Sequence, residues 1–167
     1  MEELAAGIEV VGLSQPNFAV FYQESRQPVF RALALTLRNQ DLAADAVEEA
    51  MARAYERWRS VSGYVNQKGW IFRVGLNWAL SRTRKERREV PTGRPPEGSQ
   101  SDRLPDPDLE AAMTALSVDA RTVVVLHYYL GMTYDEIGAT LRIPAGTAKS
   151  RLHYAMQDLR HRLGVDA

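Results

Sequence analysis

Cysteine is absent from all 167 residues. That single absence excludes a disulfide framework, a thiolate zinc site and a cysteine nucleophile, and it suits a reducing compartment. Long apolar runs are missing too. Stretches such as Val123 to Leu126 fall far short of the roughly 18 consecutive residues that a spanning helix requires. Met1 to Gly12 carry Glu2, Glu3 and Glu9 and no Lys or Arg, whereas a secretory leader starts basic before a longer apolar segment. The expectation is a cytoplasmic protein with no export signal and no membrane insertion. Catalytic constellations are equally scarce. His127, His153 and His161 have no clustered carboxylate partner, and there is no phosphate-cradling glycine loop, nucleophile elbow or metal-ligand spacing. The chain is therefore expected to have no catalytic residues, no metal and no cofactor.

Net charge is also lacking, with 21 basic against 21 acidic side chains. An even mixture would argue against a nucleic-acid partner, because phosphate binding needs a concentrated basic footprint. The mixture is uneven. Residues 1–66 hold 6 basic and 9 acidic groups, and residues 67–90 hold 7 and 2. After a near-neutral stretch, residues 107–141 hold 1 and 5, and residues 142–167 hold 5 and 2. An acidic block followed by a basic block thus occurs twice, although solvated helix faces alone could produce the same clustering.

Between the two occurrences, Val90 to Asp106 contains four prolines and two glycines and almost nothing to bury. That composition predicts an extended tether, residues 90–106, between a first lobe (1–89) and a second (107–167). The expected fold class is all-α: two small helical domains joined by a flexible linker, the second a four-helix domain built on a helix-turn-helix.

In the first lobe, Pro16-Asn17 opens a helix with Phe18, Phe21, Tyr22 and Ser25 on one face, and Pro28 is expected to break or kink it before Val29, Leu33 and Leu37. Asp41 is expected to cap a second helix, Leu42 to Arg59, whose stripe is Val47, Ala50, Met51, Ala54 and Trp58. Asp45, Glu48, Glu49 and Arg53 lie largely off that stripe. After a loop from Ser60 to Asn66, a third helix should run from about Gln67 to Arg88, burying Ile71, Val74, Gly75 and Trp78 and ending in Arg82, Arg84, Lys85, Arg87 and Arg88.

The second lobe begins near Pro107, with Leu109, Ala112, Met113 and Leu116 on one face. Ser117 can cap the next helix and Gly131 can close it in a left-handed conformation. The β-branched run Thr122-Val123-Val124-Val125 favours a strand by propensity, but no second strand is available to pair with it, so helix is expected. Thr133-Tyr134-Asp135-Glu136 is a capping box that starts a short helix, with Ile137 and Leu141 inward and Gly138 and Ala139 small enough for close approach. Pro144 is tolerated only at the start of a following helix, which runs through Ala148, Leu152 and Ala155 towards Leu163. Its outer side presents Thr147, Lys149, Ser150, His153 and Tyr154, with Arg151 available for phosphate. Hydroxyl, basic and aromatic groups at such a position suit the base edges and phosphates of a major groove. The competing reading is a helical hairpin with a polar face.

Gly131-Met132-Thr133-Tyr134-Asp135-Glu136-Ile137-Gly138 and Ile143-Pro144-Ala145-Gly146-Thr147-Ala148-Lys149-Ser150-Arg151-Leu152-His153 resemble region 4 of the extracytoplasmic-function sigma factors. Asp45 to Tyr55 resembles the acidic helix of region 2, and Trp70 to Asn77 resembles the segment that engages the promoter. The resemblance implies a dissociable subunit of bacterial RNA polymerase that confers promoter specificity. Asp45, Glu48, Glu49 and Arg53 would dock on the beta-prime clamp. Tyr64, Asn66, Lys68, Trp70, Arg73, Asn77 and Arg82 would handle the minus-ten element, with Tyr64, Asn66, Trp70 and Asn77 receiving extruded bases. Trp70 and Trp78 fit a core role as well as a contact. Thr133, Thr147, Lys149, Ser150, Arg151, His153 and Tyr154 would engage the minus-thirty-five element, while the second lobe meets the beta flap. An anti-sigma protein is a possible further partner.

The chain departs from the family pattern at four positions. Glu48 stands where Gln is common and Tyr55 where Trp is common, while Tyr154 and Met156 replace basic residues of the recognition helix. A stand-alone helix-turn-helix regulator is the main rival reading, and it would need a dimer surface or sensor lobe. A sigma-like decoy with a decayed DNA face is another.

Overall fold

The computed structural model describes residues 17–89 and 104–165, and among these there are helices and no strands. The helices of the first lobe are α1 (Phe18–Leu37), α2 (Gln40–Glu56), the single turn α3 (Trp58–Val61) and α4 (Gln67–Glu89). The second lobe has α5 (Pro107–Ala115), α6 (Val118–Val124) leading into a π-helical turn (Val125–Tyr129), α7 (Tyr134–Leu141) and α8 (Ala145–Leu163).

Helix α1 runs through Pro28 without the break that was one of the two expected outcomes. An interior proline costs ~3 kcal/mol. Phe21, Val29, Ala32 and Leu33 are buried on one face of that helix, and a fully buried large apolar side chain contributes about 1.5–3 kcal/mol. Packing therefore outweighs the break. The cap of α2 is Asn39, not Asp41: the Asn39 carboxamide oxygen accepts from Leu42 N at 3.0 Å, and Asp41 sits in the first turn. Val47, Ala50, Met51, Ala54 and Trp58 are buried as their spacing predicts, although the helix ends at Glu56 and Trp58 starts α3.

Helix α4 packs against both α1 and α2, so its buried face is wider than the predicted stripe and rotated from it. Ile71 and Gly75 are buried with Gly69, Phe72, Leu76 and Ala79, while Val74 and Trp78 lie at the edge, half-buried. A Cβ at Gly75 would come within 3.1 Å of both Ala46 O and Leu33 Cδ1, so a glycine is what permits this three-way contact.

In the second lobe Asp106 caps α5, Ser117 caps α6, and Gly131 adopts φ +67° at the end of the π turn. The valine run is helical, with Val123 and Leu126 fully buried. The Thr133 hydroxyl accepts from Glu136 N at 3.2 Å and starts α7. Pro144 is the N-cap of α8, one residue ahead of its first turn. Of the two residues expected to be small enough for close approach, Gly138 is buried at the α7–α8 corner, whereas Ala139 is exposed. Residues 90–103 of the expected linker lie outside the described residues. At its end, Leu104 N donates to Glu110 Oε2 at 2.8 Å.

The lobes touch. Helix α1 packs on α6 and the π turn, and α4 packs on α7. Arg38, at the end of α1 with φ 55°, donates through Nη2 to Glu110 Oε1 of α5.

Candidate nucleic-acid and polymerase interfaces

The loop before α4 is fastened from within. Gln67 Nε2 donates to the carbonyls of Val61 and Ser62 at 3.2 and 3.1 Å. Asn66 Oδ1 accepts from Gly69 N at 2.9 Å and so caps α4. This leaves Tyr64 and Val65 projecting, Val65 fully exposed, with the Tyr64 ring 6.1 Å from that of Trp70. Beside them a cleft of about 460 Å³ lies between α1 and the loop, lined by Asn17, Phe21, Trp58, Val65, Asn66 and Lys68 among others. Its dimensions are those of a small-molecule or nucleobase site.

The structure thus gathers Tyr64, Asn66, Lys68, Trp70 and Arg73 at one end of α4. Asn77 and Arg82 do not belong to that group. Arg82 lies sixteen positions beyond Asn66, roughly 24 Å along a helix. There it stacks on Trp78 at 5.2 Å and pairs with Glu86 at 3.1 Å and Asp45 at 3.8 Å. An Arg predicted on the promoter side therefore neighbours an Asp predicted on the polymerase side. Burial, and then the charge of Arg142 from the second lobe, lower the pKa of Arg73 from its ordinary value, with Tyr64 opposing.

The acidic face of α2 points outward, but Glu48 is already engaged. It accepts from Tyr22 Oη at 2.9 and 3.0 Å and from Arg26 Nε at 2.6 Å, both on α1. The Tyr22 hydroxyl is correspondingly harder to ionise, through burial first and then its hydrogen bond to Glu48. Glu49 pairs with Arg53 one turn later at 3.2 Å. The sequence reading passed over Tyr22 and Arg26 as partners of Glu48. Their four-residue spacing on one face of α1 was the available signal.

In the second lobe α8 packs on α5, α6 and α7 through Ala148, Leu152, Ala155 and Leu159 and turns its other face outward. Lys149, Ser150, His153 and Tyr154 are exposed, and Thr147 and Arg151 are half-buried. The His153 and Tyr154 rings meet edge-on at 5.5 Å. Thr133 is exposed, and its hydroxyl serves the α7 cap. His127 is structural: its Nδ1 donates to Met132 O at 2.9 Å, and its ring stacks on Tyr134 at 5.4 Å. Among the described residues there is no cluster of three metal-ligating side chains, and no helix is long and apolar enough to cross a membrane.

Residues 21–89 match the family model for sigma-70 region 2, and residues 107–159 match that for sigma-70 region 4. The RNA polymerase sigma-E factor of Streptomyces coelicolor is 35% identical over 126 residues, which is 72% of this chain and 71% of the relative. The chain belongs to the extracytoplasmic-function sigma factors. The ECF sigma factor SigE of Mycolicibacterium smegmatis is 32% identical over 161 residues, covering 88% of this chain and 62% of SigE. The ECF sigma factor SigK of Mycobacterium tuberculosis is 28% identical over 172 residues, covering 93% and 90%. Among solved structures, the sigma factor RpoE of Bartonella quintana, crystallised with the anti-sigma factor NepR, superposes with a TM-score of 0.70 at 29% identity, over 88% of this chain and 98% of RpoE. The stand-alone regulator finds no support in these matches.

Proposed function

We propose that this sigma factor directs core RNA polymerase to its promoters through two separate DNA surfaces and performs no catalysis of its own. The working units are the lobes 1–89 and 107–167, tethered by 90–106, and the place of action is the cytoplasm. The observation that carries the reading is the outer face of α8. Lys149 and Ser150 are exposed there and make no side-chain hydrogen bond or ion pair among the described residues, on the second helix of a helix-turn-helix. Side chains so placed can reach base edges in a major groove, here the minus-thirty-five element.

At the other lobe, Asn66 lines the 460 Å³ cleft, and with the neighbouring rings of Tyr64 and Trp70, 6.1 Å apart, it suits bases drawn out of the opened minus-ten element, while Lys68 and Arg73 suit its phosphates. Asn77 and Arg82 are assigned a backbone role at most. Asp45, Glu49 and Arg53 offer the beta-prime clamp a charged surface, and Glu48 contributes to it while held by Arg26. The second lobe meets the beta flap. Because the solved RpoE structure carries an anti-sigma factor, a protein of that kind is a natural antagonist here.

The test is holoenzyme affinity for a panel of minus-thirty-five variants at several salt concentrations. Ser150→Ala or His153→Ala should cost on the order of 1–3 kcal/mol on the cognate element and relax preference at one base pair. Arg151→Ala should weaken all sequences about equally and lower the salt slope by roughly one unit. Base preference and salt slope left unchanged by all three would remove α8 from the groove.

A further inference from the structure

Two uncharged residues, Tyr154 and Met156, stand on α8 where the family pattern is basic, and the fold treats them differently. Met156 is half-buried and packs against the core. Tyr154 is 67% exposed, and among the described residues its hydroxyl makes no hydrogen bond. Its ring meets that of His153 edge-on, with centroids 5.5 Å apart and planes at 71°. The ring is thus a large apolar surface left uncovered in the unbound chain.

Helix geometry limits what this ring can meet. Ala148, Leu152, Ala155 and Leu159 form the buried stripe of α8. At 3.6 residues per turn, Ser150 points almost directly away from that stripe, and Tyr154 follows one turn further along the same outer face. Lys149 and Arg151 flank Ser150 and leave the helix axis about 160° from each other. The two cations therefore point to the two sides of α8, towards the phosphate strands that wall a major groove, while the line between them faces the base edges on its floor. That line starts small. Gly146 has nothing within 4 Å of its would-be Cβ, Ser150 follows, and the line then reaches the rings of His153 and Tyr154. Among the base edges of the major groove, the C5-methyl group of thymine is the apolar one. Ring carbons gain by covering a methyl group and gain nothing from a phosphate.

We infer that Tyr154 reads the C5-methyl group of one thymine in the minus-thirty-five element, so that this sigma factor selects a T·A pair by apolar contact at a position where the family pattern would supply a charge. The inference rests on the placement of the outer face of α8 in the major groove. One helical turn rises about 5.4 Å, against about 3.4 Å per base pair, so the thymine lies within about two pairs of the one met by Ser150. Lys149 and Arg151 supply the phosphate contacts on either side, and Tyr154 adds sequence preference without adding salt dependence.

The test removes the methyl group from the DNA instead of the ring from the protein. The minus-thirty-five element is first defined by selecting duplexes from a random pool with holoenzyme, and each thymine on either strand is then replaced singly by deoxyuridine, which pairs identically. At one position the replacement should lower holoenzyme affinity about fourfold, the worth of one buried methyl-sized group. Tyr154→Ala should bind the thymine and uracil duplexes equally at that position, and Tyr154→Phe should keep the fourfold difference. Tyr154→Arg should lose the difference and raise the salt slope by roughly one unit. Tyr154 is exposed on the helix surface, so these variants should melt as the parent does by circular dichroism. No uracil-sensitive thymine, a sensitivity that persists in Tyr154→Ala, or a Tyr154→Phe variant weakened equally on all duplexes would each overturn the inference, the last because it would assign the hydroxyl to a phosphate. Ser150→Ala distinguishes the two levels of the argument. If it relaxes base preference while uracil has no effect anywhere, α8 stays in the groove and the thymine contact alone falls; if Ser150→Ala, His153→Ala and Arg151→Ala also change nothing, the placement of α8 falls with it.

Discussion

Two glycines of the helix-turn-helix should respond oppositely to the same added methyl group. Gly138 lies at the corner where α7 turns into α8, and a Cβ there would sit 2.7 Å from Ile143 O, 3.2 Å from Ala145 N and 3.3 Å from Ala145 Cα. All three neighbours are backbone, so no side chain can swing aside. Overpacking of this kind costs about 1–3 kcal/mol, of which alanine's better helix propensity returns roughly 1 kcal/mol. Gly146, near the start of α8, has nothing within 4 Å of its would-be Cβ and no positive φ. Gly146→Ala should therefore stabilise by about 0.4–1 kcal/mol. For a lobe of this size 1 kcal/mol corresponds to about 4–8 °C in melting temperature. Thermal unfolding followed by circular dichroism should show Gly138→Ala lower and Gly146→Ala higher than the parent. Gly138→Ala should also weaken minus-thirty-five binding, because relief of the clash tilts α8 relative to α7. Equal shifts of the same sign would refute the claim that close backbone approach at Gly138 sets the corner.

Glu49→Lys should weaken assembly with core polymerase at unchanged helicity, since it reverses an outward charge whose only cost to the lobe is one exposed pair with Arg53. Glu48→Lys should in addition lower the melting temperature, because it sets Lys against Arg26 and takes the acceptor from Tyr22; unchanged stability would mean that this triad contributes nothing. Tyr64→Ala should reduce permanganate reactivity of a duplex promoter yet leave activity on a pre-melted one normal, and a defect that pre-melting fails to rescue would give the loop another role.

What the sequence made legible and what it hid divide by the range of the interaction. Caps, turns and apolar stripes are written in residues a few positions apart: Ser117, Thr133 and Gly131 occupy the predicted places, and the stripe of α2 is buried residue for residue. Pro28 misled because its local penalty is visible in sequence, while the compensating burial of Val29 and Leu33 depends on α2 and α4 being in position. Asp41 misled for the opposite reason, since capping residues stand at both 39 and 41 and only the backbone decides that Asn39 does it. Small size alone marked Gly138 and Ala139 for close approach, whereas burial on α7 follows Ile137, Gly138 and Thr140.

Thr140 shows the boundary most clearly. A threonine on an exposed-looking helix carries no pattern that predicts burial, because what buries it is Asn66, 74 positions earlier. The same holds for Arg38 and Glu110, 72 positions apart, and for Arg73 and Arg142. Polar contacts between lobes have no period, and a family pattern describes each lobe on its own terms. Residues read as DNA contacts from that pattern can therefore acquire a second duty in the unbound chain. Side chains that recognise phosphate and extruded bases are polar, long and imperfectly satisfied within their own lobe, and such groups find partners wherever a second lobe is tethered nearby.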